Sequence, residues 1–510
     1  MKTKKMYSIG SRHKNECYNA VINNTANSDA IAFLKVDGYR ESLVYKELPE
    51  AEEIIISENT YVLSPHFAAG YLLRSEKNNG EWNLLATDVS NDYILGRRGP
   101  ETLRAQRRPS IPKSFVPFKT SGRPLSISST QIPDGAIIVY EERTGKKTKI
   151  KISKIINSDF SNPVDVTDGS FNAYDPVCCV ADNGKIYVAF SAFENGNYRI
   201  KVNEIDPDSL TIVKSYDISN QADACVFPSI CERKNGGIWF SYTCFDKLLQ
   251  DDETVLKHSR FQAQRRFFMT QGTIFAGAMI DGKTFAPLAP KDGKSFCGNV
   301  ASMNVFGSSG AGHSKIIEDK FGRIHILFRH YSEEQPMIFD ECNKKLNQPK
   351  NPGIRIAKHR YPNISIITLN DKQWGKPICL IPKASFNDPI SCACDLEKIK
   401  VAFTEDSPKV GGGHGGEWFD DEGQVGVGIF EMPFLKCENE TYDLRPYVVH
   451  LLPGNFLKNP VLKIKKNDDL IVAIGQTHAH TNISVCQRET DRNGHTNYRF
   501  MQDVQNSDFG

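Results

Sequence analysis

The sequence predicts an all-β protein built as a β-propeller. Three observations carry that expectation: one motif recurs along the chain, each copy has the chemistry of a β-hairpin, and the first copies are spaced like four-stranded blades. In each copy a proline is followed ten residues later by an aliphatic residue that opens an alternating apolar run. Pro176 leads to Ile186 in DPVCCVADNGKIYVAF, and Pro228 leads to Ile238 in FPSICERKNGGIWFSY. Pro389 leads to Ile399 in DPISCACDLEKIKVAF, and Pro460 to Leu470 in NPVLKIKKNDDLIVAI. In GHSKIIEDKFGRIHILF, Ser314 replaces the proline while Gly322 and Ile324 keep their places, and a looser copy, RPLSISSTQIPDGAIIVY, contains Ile137.

Each copy reads as a short strand, a turn rich in Asn, Asp and Gly, and a returning strand of period two. A glycine or acidic residue two places before the aliphatic fits a turn that needs a left-handed backbone. The aliphatic positions 137, 186, 238, 324, 399 and 470 are separated by 49, 52, 86, 75 and 71 residues. The first two intervals suit one blade of roughly 40–50 residues, and the longer ones imply blades with insertions. Five to seven blades result, with six preferred, over residues 116–474. DGKTFAPLAP at Asp281 and NDKQWGKPICLIP at Asn370 place a tight turn before an aromatic, as an outer hairpin does. The insertion from Asp251, DDETVLKHSRFQAQRRFFMTQG, reads as a short amphipathic helix on the rim.

Residues 1–115 fit the repeat poorly and read as a small N-terminal β region with a basic linker. Stretches such as EEIIISENTYVLS and GYLLRSEKNNGEWNLLA alternate like strands. Arg97, Arg98, Arg104, Arg107 and Arg108 cluster among prolines and read as a solvated loop, with a phosphate grip as the alternative.

Composition limits the function classes. Lys+Arg 63 against Asp+Glu 61 leaves a formal charge of +2 over 510 residues, which argues against a nucleic-acid-coating protein. At 39% hydrophobic and 24% charged residues the composition is that of an ordinary globular protein, with Phe 29 and Tyr 18 to build a core. No apolar run approaches membrane-spanning length, and the basic N-terminus is not followed by a signal-like apolar segment. Thirteen dispersed cysteines point to free thiols and a cytoplasmic location. Cys178-Cys179 and Cys392-x-Cys394 read as buried thiols rather than metal ligands, since no second pair stands at zinc-ribbon spacing.

The candidate chemistry lies in three places. His478 and His480 stand two apart at the end of a strand-like run, which puts both imidazoles on one face and suits zinc, iron or manganese. The segment KVGGGHGGEWFDDEGQ offers His414 and Glu417 in a loop; it lacks the Lys-Ser/Thr of a phosphate loop and reads either as an inter-strand connection or as a cover over a ligand. His313, in SSGAGHSK, heads a predicted inner strand and is placed to face a ligand. His325, in RIHILF, reads as a packed histidine.

The tail Thr477-His478-Ala479-His480-Thr481-Asn482-Ile483-Ser484, with Asn497-Tyr498-Arg499-Phe500 and Ser507-Asp508-Phe509 after it, resembles the opening of a PHP-type metallohydrolase domain of the DUF3604 subgroup. Thr477 and Gln476 depart from the usual Leu and Asp of that motif. Some members of the subgroup carry a sialidase-like propeller ahead of the PHP domain, which matches the blades above. The DGKTF turn likewise resembles a sialidase Asp-box, with one residue missing. The resemblance implies a propeller that recognises substrate, and a metal-dependent hydrolase, of phosphoesters for instance, begun at 475–510. Because the chain stops at Gly510, before a second metal motif, weak metal binding at His478 and His480 and no hydrolase activity of that domain are expected. The alternatives are a glycoside hydrolase acting through the propeller face and a protein-interaction propeller. The expected ligand is accordingly a small molecule, carbohydrate or phosphoester, not nucleic acid or membrane.

Overall fold

The computed structural model describes residues 3–9, 15–22, 30–37, 40–48, 52–58, 62–89, 114–195, 197–219, 224–245, 272–286, 311–334, 359–370, 373–374, 378–381, 390–394, 398–405, 424–431 and 445–446. Among these residues there is no helix, and the strands form seven antiparallel sheets. Sheet one comprises Asn15–Ile22, Ala30–Asp37, Arg40–Glu47 and Ile54–Ser57; sheet two comprises Val62–Ala68, Tyr71–Asn78, Glu81–Asp88 and Ser114–Phe115. Sheet three runs through Arg123–Ile132, Gly135–Thr144 and Lys147–Ile156 with two short outer strands. Sheet four runs through Asn172–Val180, Ile186–Glu194, Asn197–Ile205 and Ile212–Asp217. Sheet five is built on Ala224–Glu232, Ile238–Phe245, Gly272–Ile280 and Lys283–Ala286, and sheet six on Ala311–Glu318, Ile324–Glu334 and His359–Asn370. Sheet seven orders Ser391–Cys394, Lys398–Glu405 and Gln424–Glu431, and its outermost strand is Thr3–Ile9 from the start of the chain.

Within each sheet the strands that follow one another in sequence form an antiparallel meander, and consecutive sheets pack face to face, as in a β-propeller. The core is therefore a series of apolar layers rather than one central mass. Leu34, Tyr45, Phe67 and Leu72 fill the layer between sheets one and two. Val139, Ile152, Val188 and Phe190 fill that between three and four, and Ile326, Phe328, Ile274 and Trp239 that between five and six. Period-two strands buried on both faces explain the dense apolar patterning of the second strands.

The repeat has a structural meaning. Ile137, Ile186, Ile238, Ile324 and Ile399 all lie in second strands and are buried to 2% exposure or less. Gly184, Gly236 and Gly322, each two places earlier, have φ of 78°, 84° and 76°, where a Cβ would be strained. Asp281 and Gly282 form the turn into Lys283–Ala286, and Gln373–Trp374 folds back on Leu369 and Asn370, so both outer hairpins are present.

A bulge recurs as well. In the first strands of sheets two to six, the register slips at Ser64-Pro65, Ser126-Ile127, Asp175-Pro176, Phe227-Pro228 and His313-Ser314. The first residue of each pair has φ between 35° and 55° and is half-buried, while the second is buried. Sheet one slips likewise between Tyr18 and Val21. Opposite the bulge the second strand places one fully buried large side chain: Phe33, Tyr140, Phe190, Tyr242 or Phe328, and Arg74 in sheet two. A bulge leaves room on the partner strand, and a large ring fills it. The repeated proline suits the second bulge position, which gives no ladder hydrogen bond.

Candidate functional site

The bulges set one row of half-buried residues near the starts of the first strands: Ser64, Ser126, Asp175, Phe227 and His313. Neighbours in the row touch. The Ser126 N–H donates to Ser64 Oγ at 3.1 Å, and the Phe227 and His313 rings stack at 4.0 Å with 29° between planes. Further along the same strands, the Ile316 N–H donates to Ser229 Oγ, so these first strands advance side by side in one direction.

Backbone N–H groups at the bulges need acceptors, and the preceding sheet supplies them. Phe227 N–H donates to Ser191 Oγ at 3.2 Å, and Asp175 N–H to Glu141 Oε2 at 3.4 Å. Ser191 and Glu141 occupy the same repeat position, on the second strand beside the residue before the bulge. The corresponding residues elsewhere are Ser75, Thr243 and Arg329. A hydroxyl suffices at this position, so a buried carboxyl at Glu141, 6% exposed, is not required by the fold.

Glu141 and Asp175 form a carboxyl pair with separated acidities. Burial, then the neighbouring Asp175 charge, pushes Glu141 up to about 8, against the pull of Arg123 and Arg143. Burial raises Asp175 to about 6. Near neutrality Glu141 holds a proton and Asp175 does not, a division suited to acid–base work. Aromatic rings border the pair. Tyr174, next to Asp175, lies 5.9 Å from Tyr198, and Phe193 lies 4.8 Å from Tyr198. Burial pushes the Tyr198 phenol up to about 12 and also raises Tyr174. The arrangement offers a proton donor, a proton acceptor and apolar ring faces at one end of adjacent sheets.

Of the residues singled out in the sequence, His313 stands in this row. Its imidazole is held down to about 3 by burial and by the Arg329 charge, so it is neutral. His414, Glu417, His478 and His480 lie outside the described residues, as do the arginines at 97, 98, 104, 107 and 108 and the segment from Asp251. Phe245 and Gly272, and Glu334 and His359, are register partners, and each pair closes the end of its sheet that carries the bulge. Among the described residues no group of three or more His, Cys, Asp or Glu side chains could hold a metal ion. Cys178 and Cys179 are buried free thiols, while Cys392 is half-buried and Cys394 exposed. His325 is buried as a packed residue, but it is also polar-bonded, to Asp319 Oδ2 and Thr368 Oγ1 at 2.9 Å each.

Glu141 and Asp175 were not legible as a site beforehand. Glu141 sits in the copy with the loosest match, and its partner is remote in sequence. The available signal was position: aligned copies carry Ser191 and Thr243 where this copy carries Glu141.

No protein-family model matches the chain, and no curated protein matches it. Among solved structures it is similar to a protein of unknown function from Dyadobacter fermentans, at 11% identity and a TM-score of 0.44, over 84% of this chain and 99% of that one. It is also similar to the polysaccharide lyase Uly1, at 8% identity and a TM-score of 0.45, over 81% and 89% of the two chains. For a Trypanosoma rangeli sialidase the values are 10% and 0.39, over 74% of this chain and 56% of that one. Likenesses this remote transfer no activity.

Proposed function

We propose that this protein is a carbohydrate-active propeller in which Glu141 acts as proton donor and Asp175 as proton acceptor. The observation that carries the reading is a buried carboxyl at a repeat position where a hydroxyl satisfies the fold, hydrogen-bonded to the backbone of a second carboxylate residue. Cleavage of a glycosidic bond needs a protonated acid beside the leaving oxygen and a carboxylate to activate water or attack the sugar. Glu141 with a raised pKa supplies the first and Asp175 the second. The rings of Tyr174, Tyr198 and Phe193 give flat apolar faces for the C–H side of a sugar. Arg123 and Arg143 hold positive charge near the pair.

A panel of chromogenic glycosides and native glycans, assayed with and without chelator, tests this. Turnover insensitive to chelator is expected, bell-shaped in pH with limbs near 6 and 8. Glu141→Gln and Asp175→Asn should each lower kcat by about 100-fold or more. Wild-type inertness over the whole panel, or full activity of both variants, refutes the reading.

The metal reading of the tail rests on sequence resemblance alone and is a separate proposal. Titration of the full chain with zinc or manganese should show weak binding that His478→Ala and His480→Ala abolish. Unchanged binding in the double variant would rule it out.

A further inference from the structure

Two neighbours in the row of bulge residues carry rings. Phe227 and His313 stack at 4.0 Å with 29° between planes, and each keeps part of its ring exposed. Contacts tie them to the carboxyl pair. Tyr174, beside Asp175, is the register partner of Ser191, whose Oγ accepts the Phe227 N–H at 3.2 Å. His313 is held through its neighbour Ser314, whose hydroxyl lies 2.9 Å from that of Ser241. The fold does not ask for a large ring at Phe227. Its φ of 55° is a left-handed backbone that disfavours a bulky side chain, and the copies in sheets two to four place the small Ser64, Ser126 and Asp175 at the same point. A bulky residue kept in that conformation is a local cost of the kind that gathers at binding sites. Two aromatic groups therefore leave Asp175 in different directions. Phe193 and Tyr198 lie outward, on the second and third strands of sheet four, while Phe227 and His313 lie along the row, on the first strands of sheets five and six.

We propose that Phe227 and His313 form a second sugar platform, so that the ligand is an oligosaccharide of two or more units rather than a single sugar. The inference rests on the acid–base reading above for its choice of a carbohydrate. One flat ring cannot lie against two platforms set in different directions. A ligand that uses both has at least two rings, with the linkage between them beside Asp175. A stacked pair of aromatic rings gives the C–H side of a sugar a flat, electron-rich surface. His313 adds what a phenylalanine lacks. Burial and the Arg329 charge keep its imidazole neutral, so its two nitrogens are one donor and one acceptor for sugar hydroxyls. Apolar ring faces with a few placed polar groups are the usual lining of a small-molecule site. Contacts away from the reacting bond hold that bond in place, which makes Phe227 and His313 positioning residues.

The test is calorimetric titration of the full chain carrying Glu141→Gln with cello-, xylo-, manno- and galacturono-oligosaccharides of one to six sugars. In at least one series affinity should rise by about tenfold or more between one sugar and three. Phe227→Ala and His313→Ala, added to that chain, should each remove the gain, while Phe227→Tyr and His313→Phe should keep most of it. No gain with length in any series overturns the proposal, as does a gain that survives both alanine variants. Because affinity is read rather than turnover, the two readings fail separately. Wild-type inertness in the glycoside assay beside length-dependent binding refutes the acid–base roles alone, and turnover without a gain in affinity refutes the platform alone. Should the alanine variants fail to fold, acylation of the wild-type chain with diethyl pyrocarbonate decides, since that reagent takes the neutral imidazole. The best-bound oligosaccharide should slow modification of His313, and equal rates with and without it refute the platform.

Discussion

At Glu141, stability and function pull apart. An unfolded chain releases this proton near the ordinary value of 4.5, whereas the folded chain keeps it until about 8. The folded state therefore loses stability as pH rises from about 4.5 to 8, because only the unfolded state gains from ionisation. Asp175 adds the same sign of effect, between its ordinary 3.8 and about 6. Glu141→Gln keeps an acceptor for the Asp175 N–H and removes the ionisable group. It should be more stable than the wild type at pH 7, by up to about 3 kcal/mol, with a flatter pH dependence in urea unfolding. A less stable variant would mean that the carboxyl is there for the fold.

The bulge and the ring opposite it are the element that the repeat encodes. Phe190 and Tyr242 are buried to 1% exposure or less, and their neighbours cannot close over the space they leave. Phe190→Ala should cost about 3–5 kcal/mol in denaturant unfolding, whereas Ile212→Ala on the exposed outer strand of the same sheet should cost well under 1 kcal/mol. Arg74 shows that the position tolerates other chemistry only with a dedicated shell. Its guanidinium donates to Glu76 at 2.7 Å, to Thr87 at 2.8 Å and to Ser114 at 3.1 Å, reaching two further strands of its sheet. Removing one of those partners leaves a buried charge short of hydrogen bonds.

Across the whole molecule, buried histidines set the acid limit. His66 and His313 are held down to about 3, and His325 is lowered by burial against the pull of Asp319. On acidification the unfolded chain takes up these protons near 6.5 while the folded chain refuses them. The histidines' contribution to stability is therefore fully present above about 6.5 and falls toward 3, each group contributing up to about 1.4 kcal/mol per pH unit in that window. The thermal midpoint should drop steeply below pH 6, and His66→Gln should shallow the slope by about one proton. An unchanged slope would show that His66 already carries its proton in the folded chain.

How much of this was legible in the chain follows from the range of each interaction. Turn glycines at 184, 236 and 322, the aliphatic residues after them and the period-two runs act over a few residues, and the sequence by itself determined the all-β hairpins from them. It also marked the bulges, through the prolines at 176 and 228, without revealing what they do. Packing decided the rest. Thr3–Ile9 joins a sheet made from residues some four hundred positions later, a pairing that no local pattern encodes. Glu141 meets Asp175 only because sheets from different parts of the chain stand face to face. Their acidities depend on desolvation by that packing, so the chemistry of the site belongs to the tertiary structure, and its residue types alone to the sequence.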